Sequence, residues 1–433
     1  MNEACLVFPF SRDNANAISA LLASLDIHPQ LNKLAVFLPS LNQGISSLNE
    51  GALEFKKIIL AFSVYSTQLD QVSHQIDQYR DLFKNKKLLV FAGGPHPIGD
   101  PFSMLYNGAD IVCTGEGEIT FTDVLARYIS DQSLLDIKGI AILTHNKRLI
   151  KNPKSDFVDL NSFPSFSFKR GLIRPIEITR GCAWKCRFCQ IRSKGIPVKH
   201  RSVSEILKYV DFTVKHFSQR RADIRFISPN ALSYGSQDGK SLNLKIIEEL
   251  LSGIRKLIGA EGKIYFGSFP SELRPETITP ESAKLLKKYT NVSKLILGGQ
   301  SGSDRVLELS DRGHDVAETE RAVALLIKEG FEVDVDIIFG LPGEEDEDVK
   351  QTISHMEKLV KLGARIHSHT FLPLVGTPFA SSKPGKINSQ YLQLISEFQG
   401  YRLLSGQHEK QQEEAKLLAS RRSEEKEIRR SYS

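Results

Sequence analysis

The stretch PIEITRGCAWKCRFCQ, Pro175 to Gln190, decides how this chain is read. A short apolar strand pattern, Ile176 to Arg180, runs into a glycine, and Cys182, Cys186 and Cys189 follow in a CxxxCxxC spacing. Three of the five cysteines therefore share one loop. Thiolate is the ligand type that iron–sulfur clusters require, and three cysteines this close can hold three irons of a four-iron cube. The fourth iron is left open to the amino and carboxylate groups of a small molecule. The alternative is a zinc site in which His200 completes a Cys3His tetrahedron. Zinc ligands usually come as two separated pairs, and His200 lies in a basic stretch, PVKHR, that reads as solvated.

CxxxCxxC after a strand, with an aromatic residue (Phe188) before the last cysteine, resembles the radical S-adenosylmethionine (SAM) superfamily. The resemblance implies a [4Fe-4S] cluster on Cys182, Cys186 and Cys189 that cleaves SAM reductively to methionine and a 5′-deoxyadenosyl radical. It also implies a reducing partner such as a flavodoxin or ferredoxin, with the cofactor carrying the hard chemistry. Two later segments extend the likeness. GGQSGSDRVLELSDRGH, Gly298 to His314, is similar to a segment of methylthiotransferases and related enzymes in which the Gln300 and Ser301 positions lie near SAM. DIIFGLPGE, Asp336 to Glu344, resembles the strand end that packs near the adenine. The implied SAM site comprises Phe188, Gln300, Ser301, Asp336 and Gly340. A GGE motif is missing at Ser228-Pro229-Asn230, so the resemblance does not say what holds the SAM amino group.

The rest of the composition is that of an ordinary globular chain: 433 residues, 41% hydrophobic and 25% charged, enough for two or three domains. A formal charge of +6 is modest at this size and does not amount to a nucleic-acid signature. There is neither a signal-peptide pattern nor an apolar run long enough to span a membrane, and the expectation is a cytoplasmic protein. Cys5 and Cys113 fall within apolar strand patterns, where cysteine behaves as a small buried hydrophobe.

Before the cysteine loop, strand patterns at Ala4 to Phe10, Leu34 to Leu38, Ile58 to Ser63, Leu88 to Ala92 and Ile111 to Thr114 alternate with helical ones. That rhythm predicts a Rossmann-like, doubly wound parallel sheet, closed by a hairpin around Asn146-Lys147. Ligands bind such sheets at the carboxyl ends of the strands. There the run AGGPHP, followed by GADIVCTGEGE, resembles the cobalamin-binding domain that often precedes a radical SAM barrel. The resemblance places Ser63, Gly93, Gly94 and Gly115 against cobalamin. Members that bind cobalt through a histidine carry DxHxxG after the first strand, whereas SRDNANA here has no histidine and the fit at Asp26-Ile27-His28 is chance.

Six strand patterns follow, at Ile176 to Arg180, Ile224 to Ser228, Lys263 to Ser268, Lys294 to Gly299, Val333 to Phe339 and Arg365 to Leu372. They fit a partial (β/α)6 barrel. Alternation in EVDVDIIFG sets Val333, Val335, Ile337 and Phe339 toward outer helices, and in ARIHSHTF it groups Arg365, His367 and His369 in a polar lumen as candidate substrate residues. The expected domains are residues 1–155, 156–385 and a helical, partly solvated tail at 386–433, in which Ile387 to Leu404 reads as an amphipathic helix. The function implied is a cobalamin-dependent radical SAM enzyme, with methyl transfer to an unactivated carbon as the favoured chemistry and an unknown substrate. The alternatives are a methylthiotransferase-like enzyme without cobalamin and a non-catalytic cobalamin- or metal-binding sensor.

Overall fold

The structure, a computed structural model, describes residues 3–193, 195–217 and 222–431. It comprises two compact units: Met1–Arg174 with Leu374–Gly376 and Arg422–Ser433, and Pro175–Pro373 with Thr377–Arg421.

The first unit is built on a seven-stranded sheet of β1 (Ala4–Val7), β2 (Ala35–Phe37), β3 (Lys57–Ser63), β4 (Lys87–Gly93), β5 (Ile111–Cys113), β6 (Ile140–Leu143) and β7 (Leu149–Lys151). Their order is β2-β1-β3-β4-β5-β6-β7, with β1 to β5 parallel and the closing pair antiparallel. This is a flavodoxin-like doubly wound order, whose switch point lies between β1 and β3. The central strand KIILAFS is buried along its whole length, as a strand covered on both faces must be. Its alternate residues feed two cores. Ile58, Leu60 and Phe62 pack with Val72, Ile76 and Met104 on one face, and Ile59 and Ala61 pack with Ile18, Leu22 and Val124 on the other.

The sequence boundary at 155 is too early. Ser167 and Arg170 both reach the Asp26 carboxylate, and Ser19 Oγ donates to Leu172 O at 2.7 Å, so the supposed connector is bound into the first unit up to Arg174. The tail is likewise no separate domain. Its last turns belong to the first unit, where Ser103 Oγ donates to Glu425 and Arg429 pairs with Asp100 and lies over the Phe102 ring at 4.8 Å. The side chain of Arg430, part of the expected basic cluster, lies outside the described residues.

The second unit contains β8 (Ile176–Glu177), β9 (Thr179–Arg180), β10 (Lys199–His200), β11 (Asp223–Ile227), β12 (Lys263–Tyr265), β13 (Lys294–Gln300), β14 (Glu332–Phe339), β15 (Arg365–Thr370) and β16 (Leu404–Gly406). Parallel sets β12-β11-β8 and β13-β14-β15-β16 are joined by a parallel bridge between Leu273 and Leu297 and by Ile296 N donating to Gly267 O at 2.9 Å. All six expected strands are present in an arc that the described strands do not close. Several outer helices have a readable start and face. In helix Val316–Lys328, Asp315 accepts from Glu318 N at 2.7 Å while Glu318 accepts from Asp315 N at 3.1 Å, and Thr319, Ala322, Val323 and Leu326 are buried. As alternation predicts, Val333, Val335, Ile337 and Phe339 are at most 1% exposed, and the Phe339 ring packs at a tilt against Tyr391 of an outer helix, centroids 4.5 Å apart.

The seventh strand of the arc, β16, is not among the expected six. Ile387 to Leu404 is not one helix: it runs only over Tyr391–Gly400, Arg402 turns left-handed (φ 58°), and Leu403 N donates back to Phe398 O at 2.7 Å. That stop is a helix C-terminal motif made without glycine at the left-handed position. The freed chain then pairs with β15, Ile366 opposite Leu404.

Candidate functional site: a cysteine loop and the strand ends

The cysteine loop leaves β9, which is pinned antiparallel to β10. Gly181 has φ 81°, and a Cβ there would lie 2.4 Å from Pro197 O, so only glycine lets the chain pass under the 196–197 backbone into the loop. Cys189 N donates to Cys186 O at 3.2 Å, and Arg187 N to Ser310 O at 3.0 Å. These bonds hold the loop against the end of helix Asp304–Leu309. Cys186 is buried, while Cys182 and Cys189 are half-buried.

Two arginines that no sequence motif singles out converge on Cys186. Arg312 Nη1 lies 3.3 Å and Arg274 Nη1 3.6 Å from its sulfur, and both guanidinium groups are buried. The Arg274 guanidinium stacks on Trp184 at 4.1 Å, and Trp184 fits only because Gly313 (φ 73°) has no Cβ, which would sit 2.3 Å from the ring. Burial works against ionising Cys186, but Arg312 and Arg274 outweigh it and hold the thiol below its usual range. Burial pushes Cys182 up. Two buried cations directed at a thiolate loop suit an anionic iron–sulfur cluster, whose tuning comes from such hydrogen bonds to sulfur.

A zinc tetrahedron does not fit. Its thiolates would stand about 3.8 Å apart. Among the described residues, the one group of metal-ligating side chains with all ligand atoms within 4.8 Å of one another is Asp336, His367 and His369, and the cysteines are not in it. His200 is also committed, with Nδ1 3.0 Å from Thr179 Oγ1 and Nε2 2.9 Å from Ser236 O. Cys5 and Cys113 are core residues, their thiols pushed up by burial to about 12 and about 11.

Of the expected SAM residues, Phe188 packs with Ile338, Leu341, Phe371 and Phe379, which brings the cysteine loop to the β14 strand end. Gln300 ends β13 in a left-handed conformation (φ 77°) and is nearly buried. Ser301 faces the outer helix Asp346–Lys361, 3.5 Å from Thr352 Oγ1, and accepts from Ser303 N at 3.2 Å. Asp336 is not with Phe188: its carboxylate is bonded to His367 at 2.8 Å. Gly340 has a structural reason to be glycine. With φ 70° and a Cβ that would lie 2.5 Å from Lys386 N, any side chain there would disturb the turn whether or not SAM binds.

Asn230, at the carboxyl end of β11, carries a signal that its sequence neighbours do not reveal. It is 1% exposed, yet neither its Oδ1 nor its Nδ2 has a hydrogen-bond partner. Leaving both buried atoms unpaired costs about 1–3 kcal/mol each, so such a group requires an explanation. β11 pairs with β8, and Ile178 N donates to Ile227 O at 3.1 Å, which sets the carboxyl end of β11, three residues before Asn230, beside the strand that leads toward the cysteine loop.

Glu344, in the same GLPGE turn, accepts from Gly340 N at 3.1 Å and faces Tyr391 Oη at 3.2 Å. Burial raises its carboxyl to about 7. A carboxyl raised in the folded state contributes stability below its unfolded value of 4.5 and loses it as pH rises through about 7. Glu344→Gln keeps both contacts without a charge. Thermal unfolding should show the variant gaining about 1–2 kcal/mol on wild type between pH 4.5 and pH 8. A constant difference across that window would contradict the assignment.

In the first unit, the four residues expected against cobalamin occupy neighbouring strand ends. Ser63 and Gly93 are paired across β3 and β4, Gly94 follows, and Gly115 lies just beyond β5. The glycines differ in kind. Gly94 (φ 102°) is demanded by the fold, since its Cβ would meet Val64 N at 2.8 Å. Gly93 and Gly115 are not, because a Cβ at either would make one ordinary contact, 3.6 Å from Cys113 Cβ or Ser155 Oγ. Their small size leaves space on the crevice side. His96 of the same loop is buried between Ser66 Oγ and Ser103 Oγ, 3.2 Å from each, and fixes the loop. His28 caps the far end of helix Ala15–Ile27, about 20 Å along its axis, and with Gln30, Asp123 and Arg127 lines a cavity of about 310 Å³ remote from the strand ends.

Alternation along β15 is as expected: Arg365, His367 and His369 are half-buried, between the buried Ile366, Ser368 and Thr370. Arg365 is held by Asp334 at 3.0 Å and Glu332 at 2.8 Å, while His367 and His369 cluster with Asp336.

Residues 176–356 match the family model of the radical SAM superfamily. Among curated proteins, a tRNA-2-methylthio-N(6)-dimethylallyladenosine synthase of Sulfurihydrogenibium sp. is 26% identical over 228 residues, covering 51% of this chain and 49% of the relative. This chain thus spans about half of that relative's length. Among solved structures, the cobalamin-dependent SAM radical enzyme OxsB, with aqua-cobalamin and SAM bound, aligns over 82% of this chain and 52% of its own at TM-score 0.64 and 18% identity. The radical SAM methyltransferase TsrM of Kitasatospora setae, with cobalamin and a [4Fe-4S] cluster bound, aligns over 88% of this chain and 75% of its own at TM-score 0.67 and 16% identity. At those identities the likeness is one of fold, and it takes in both units. With the cysteine loop inside the matched segment, residues 176–356 form a radical SAM domain of an enzyme, and the doubly wound sheet before it belongs to the fold shared with those two structures.

Proposed function

We propose that this enzyme binds cobalamin at the strand-end crevice of its first unit and transfers a methyl group to an unactivated carbon of a substrate held in the lumen of the second. The observation that carries this reading is the cysteine loop with the buried Arg274 and Arg312 directed at Cys186, in a chain whose first unit also has, at neighbouring strand ends, Gly93 and Gly115, where a Cβ would make one ordinary contact each. When bound, a reduced [4Fe-4S] cluster supplies the electron that cleaves SAM, and cobalamin supplies the methyl group. The chain's residues do the rest. Cys182, Cys186 and Cys189 hold the cluster while the two arginines balance its charge. Phe188, Ile338 and Leu341 form an apolar wall for the adenine, and Asn230 meets the amino and carboxylate groups of the methionine part. Ser63, Gly93 and Gly115 make room for the cobalamin tail, and Arg365, His367 and His369 face the substrate.

A methylthiotransferase-like activity is the second reading, favoured by the curated relative above. Against it, the first unit offers only Cys5 and Cys113, both core residues, where an auxiliary cluster would need three ligands. A non-catalytic sensor would bind its ligand without turning SAM over.

The deciding experiment gives anaerobic, reduced protein SAM and hydroxocobalamin and follows methylcobalamin by chromatography. Methylcobalamin should accumulate. Its absence while SAM is still cleaved would leave a cobalamin-independent enzyme. A narrower expectation concerns Asn230→Ala, which removes both amide atoms and should weaken SAM about tenfold or more, or about 1.4 kcal/mol, with the iron content unchanged. Equal SAM affinity in equilibrium dialysis would remove Asn230 from the site.

A further inference from the structure

The hydrogen bonds of the lumen cluster assign its protons. Thr370 N donates to Gln411 Oε1 at 2.9 Å, which fixes the Gln411 amide with Nε2 toward His369 Nδ1 at 3.3 Å. His369 Nδ1 is then an acceptor, and its proton sits on Nε2, the nitrogen 3.7 Å from Asp336 Oδ1 and 3.2 Å from His367 Nδ1. His367 Nδ1 is 2.8 Å from the same carboxylate oxygen, a contact that only a protonated nitrogen makes favourably. His367 therefore gives its Nδ1 proton to Asp336, whereas His369 Nε2, 3.7 Å away, lies beyond hydrogen-bond distance of that carboxylate. What remains is His367 Nε2, a bare lone pair with no hydrogen-bond partner among the described residues, on a side chain one-third exposed (34%).

We infer that His367 is a proton-accepting catalytic residue of the lumen, with Asp336 as its positioning residue. The inference deepens the proposed function and rests on its reading of the lumen as the substrate site. A weakly acidic N–H or O–H of the substrate gives its proton to Nε2. The bonding pair stays on the substrate atom, and Asp336 stabilises the imidazolium that forms. This selects substrates that bear such a group beside the reacting carbon.

The charges facing His367 agree. Asp336 and Asp334 approach it from β14, Lys294 opposes them from β13, and Glu272 lies in the loop after β12. Asp336, chiefly through its hydrogen bond, holds His367 above the usual histidine range. Glu272, raised to about 7 by burial and by the Asp336 charge, adds little negative charge of its own below neutrality.

A divalent metal is the competing occupant, because donor atoms 2.8, 3.2 and 3.7 Å apart resemble one face of an octahedron. It would need a bare Nε2 on His369, the nitrogen that Gln411 obliges to carry a proton.

The test modifies the full-length protein with diethyl pyrocarbonate between pH 5.5 and 8 and maps histidines by mass spectrometry. It needs no cluster, SAM turnover or cobalamin, so it stands or falls apart from the proposed function. His367 should be modified at a rate that rises with pH to an inflection above 6.5, and Asp336→Asn should move that inflection down. Histidine-ring nitrogen NMR of the unmutated chain should show His367 with its proton on Nδ1 and His369 with its proton on Nε2. An inert His367, an inflection unmoved by Asp336→Asn, or one equivalent of Zn(II) retained after dialysis and lost in His369→Gln would overturn the inference.

Discussion

Replacing Cys182, Cys186 and Cys189 together by alanine will take bound iron from about four per chain to none and abolish SAM cleavage. The effect is large because the loop offers no substitute ligand. His200 is hydrogen-bonded through both ring nitrogens, and Cys5 and Cys113 are buried core residues of the other unit. Alanine at Cys5 or Cys113 should accordingly leave the iron content unchanged. Iron and sulfide analysis of anaerobically reconstituted protein checks both statements. Stoichiometric zinc in unsubstituted material, or iron surviving in the triple variant, would contradict the assignment.

The second large effect is expected at Gly93. A Cβ there meets only Cys113 Cβ at an ordinary 3.6 Å, so the backbone should accept Gly93→Trp, whose ring would then occupy the ends of β3 and β4. Hydroxocobalamin should then bind at least about 100-fold more weakly, or about 2.7 kcal/mol, with the cluster retained. Gly115→Trp should act alike from the next strand end. Gly94 is unsuited to the test, because its left-handed backbone and contact with Val64 make any substitution a folding defect. His28→Ala should leave the cobalt spectrum unchanged, since His28 lies at the far end of its helix from the crevice. Full cobalamin uptake by both tryptophan variants would move the site elsewhere or remove it.

What can be read from the sequence follows from how locally each feature is encoded. The strands are legible because each is a short apolar run or a strict alternation, and KIILAFS needs no partner to be read as doubly covered. The cysteine loop and the alternating polar face of β15 are local patterns of the same kind. Arg274 and Arg312 escape such a reading because their meaning lies in convergence on Cys186 from positions 88 and 126 residues away. Asn230 is legible only as a missing motif, and its orphaned amide appears once burial and hydrogen bonding are known. The segment around Asp336 groups it with the adenine, whereas register places it opposite His367. β16 and the end of the first unit depend on tertiary pairing, Leu404 with Ile366 and Asp26 with Ser167 and Arg170, which no window of sequence contains. For Gly340 and Gly94, a glycine demanded by a positive φ looks in sequence just like one kept small for a ligand.

The most direct test of the account is one anaerobic preparation of the full-length protein, reconstituted with iron, sulfide and hydroxocobalamin, then reduced and examined by electron paramagnetic resonance with and without SAM. The account predicts about four irons and one cobalamin per chain, and a reduced-cluster signal that changes on adding SAM as the open iron gains a ligand. A cluster signal indifferent to SAM, or a chain that takes up iron but no cobalamin, would contradict it.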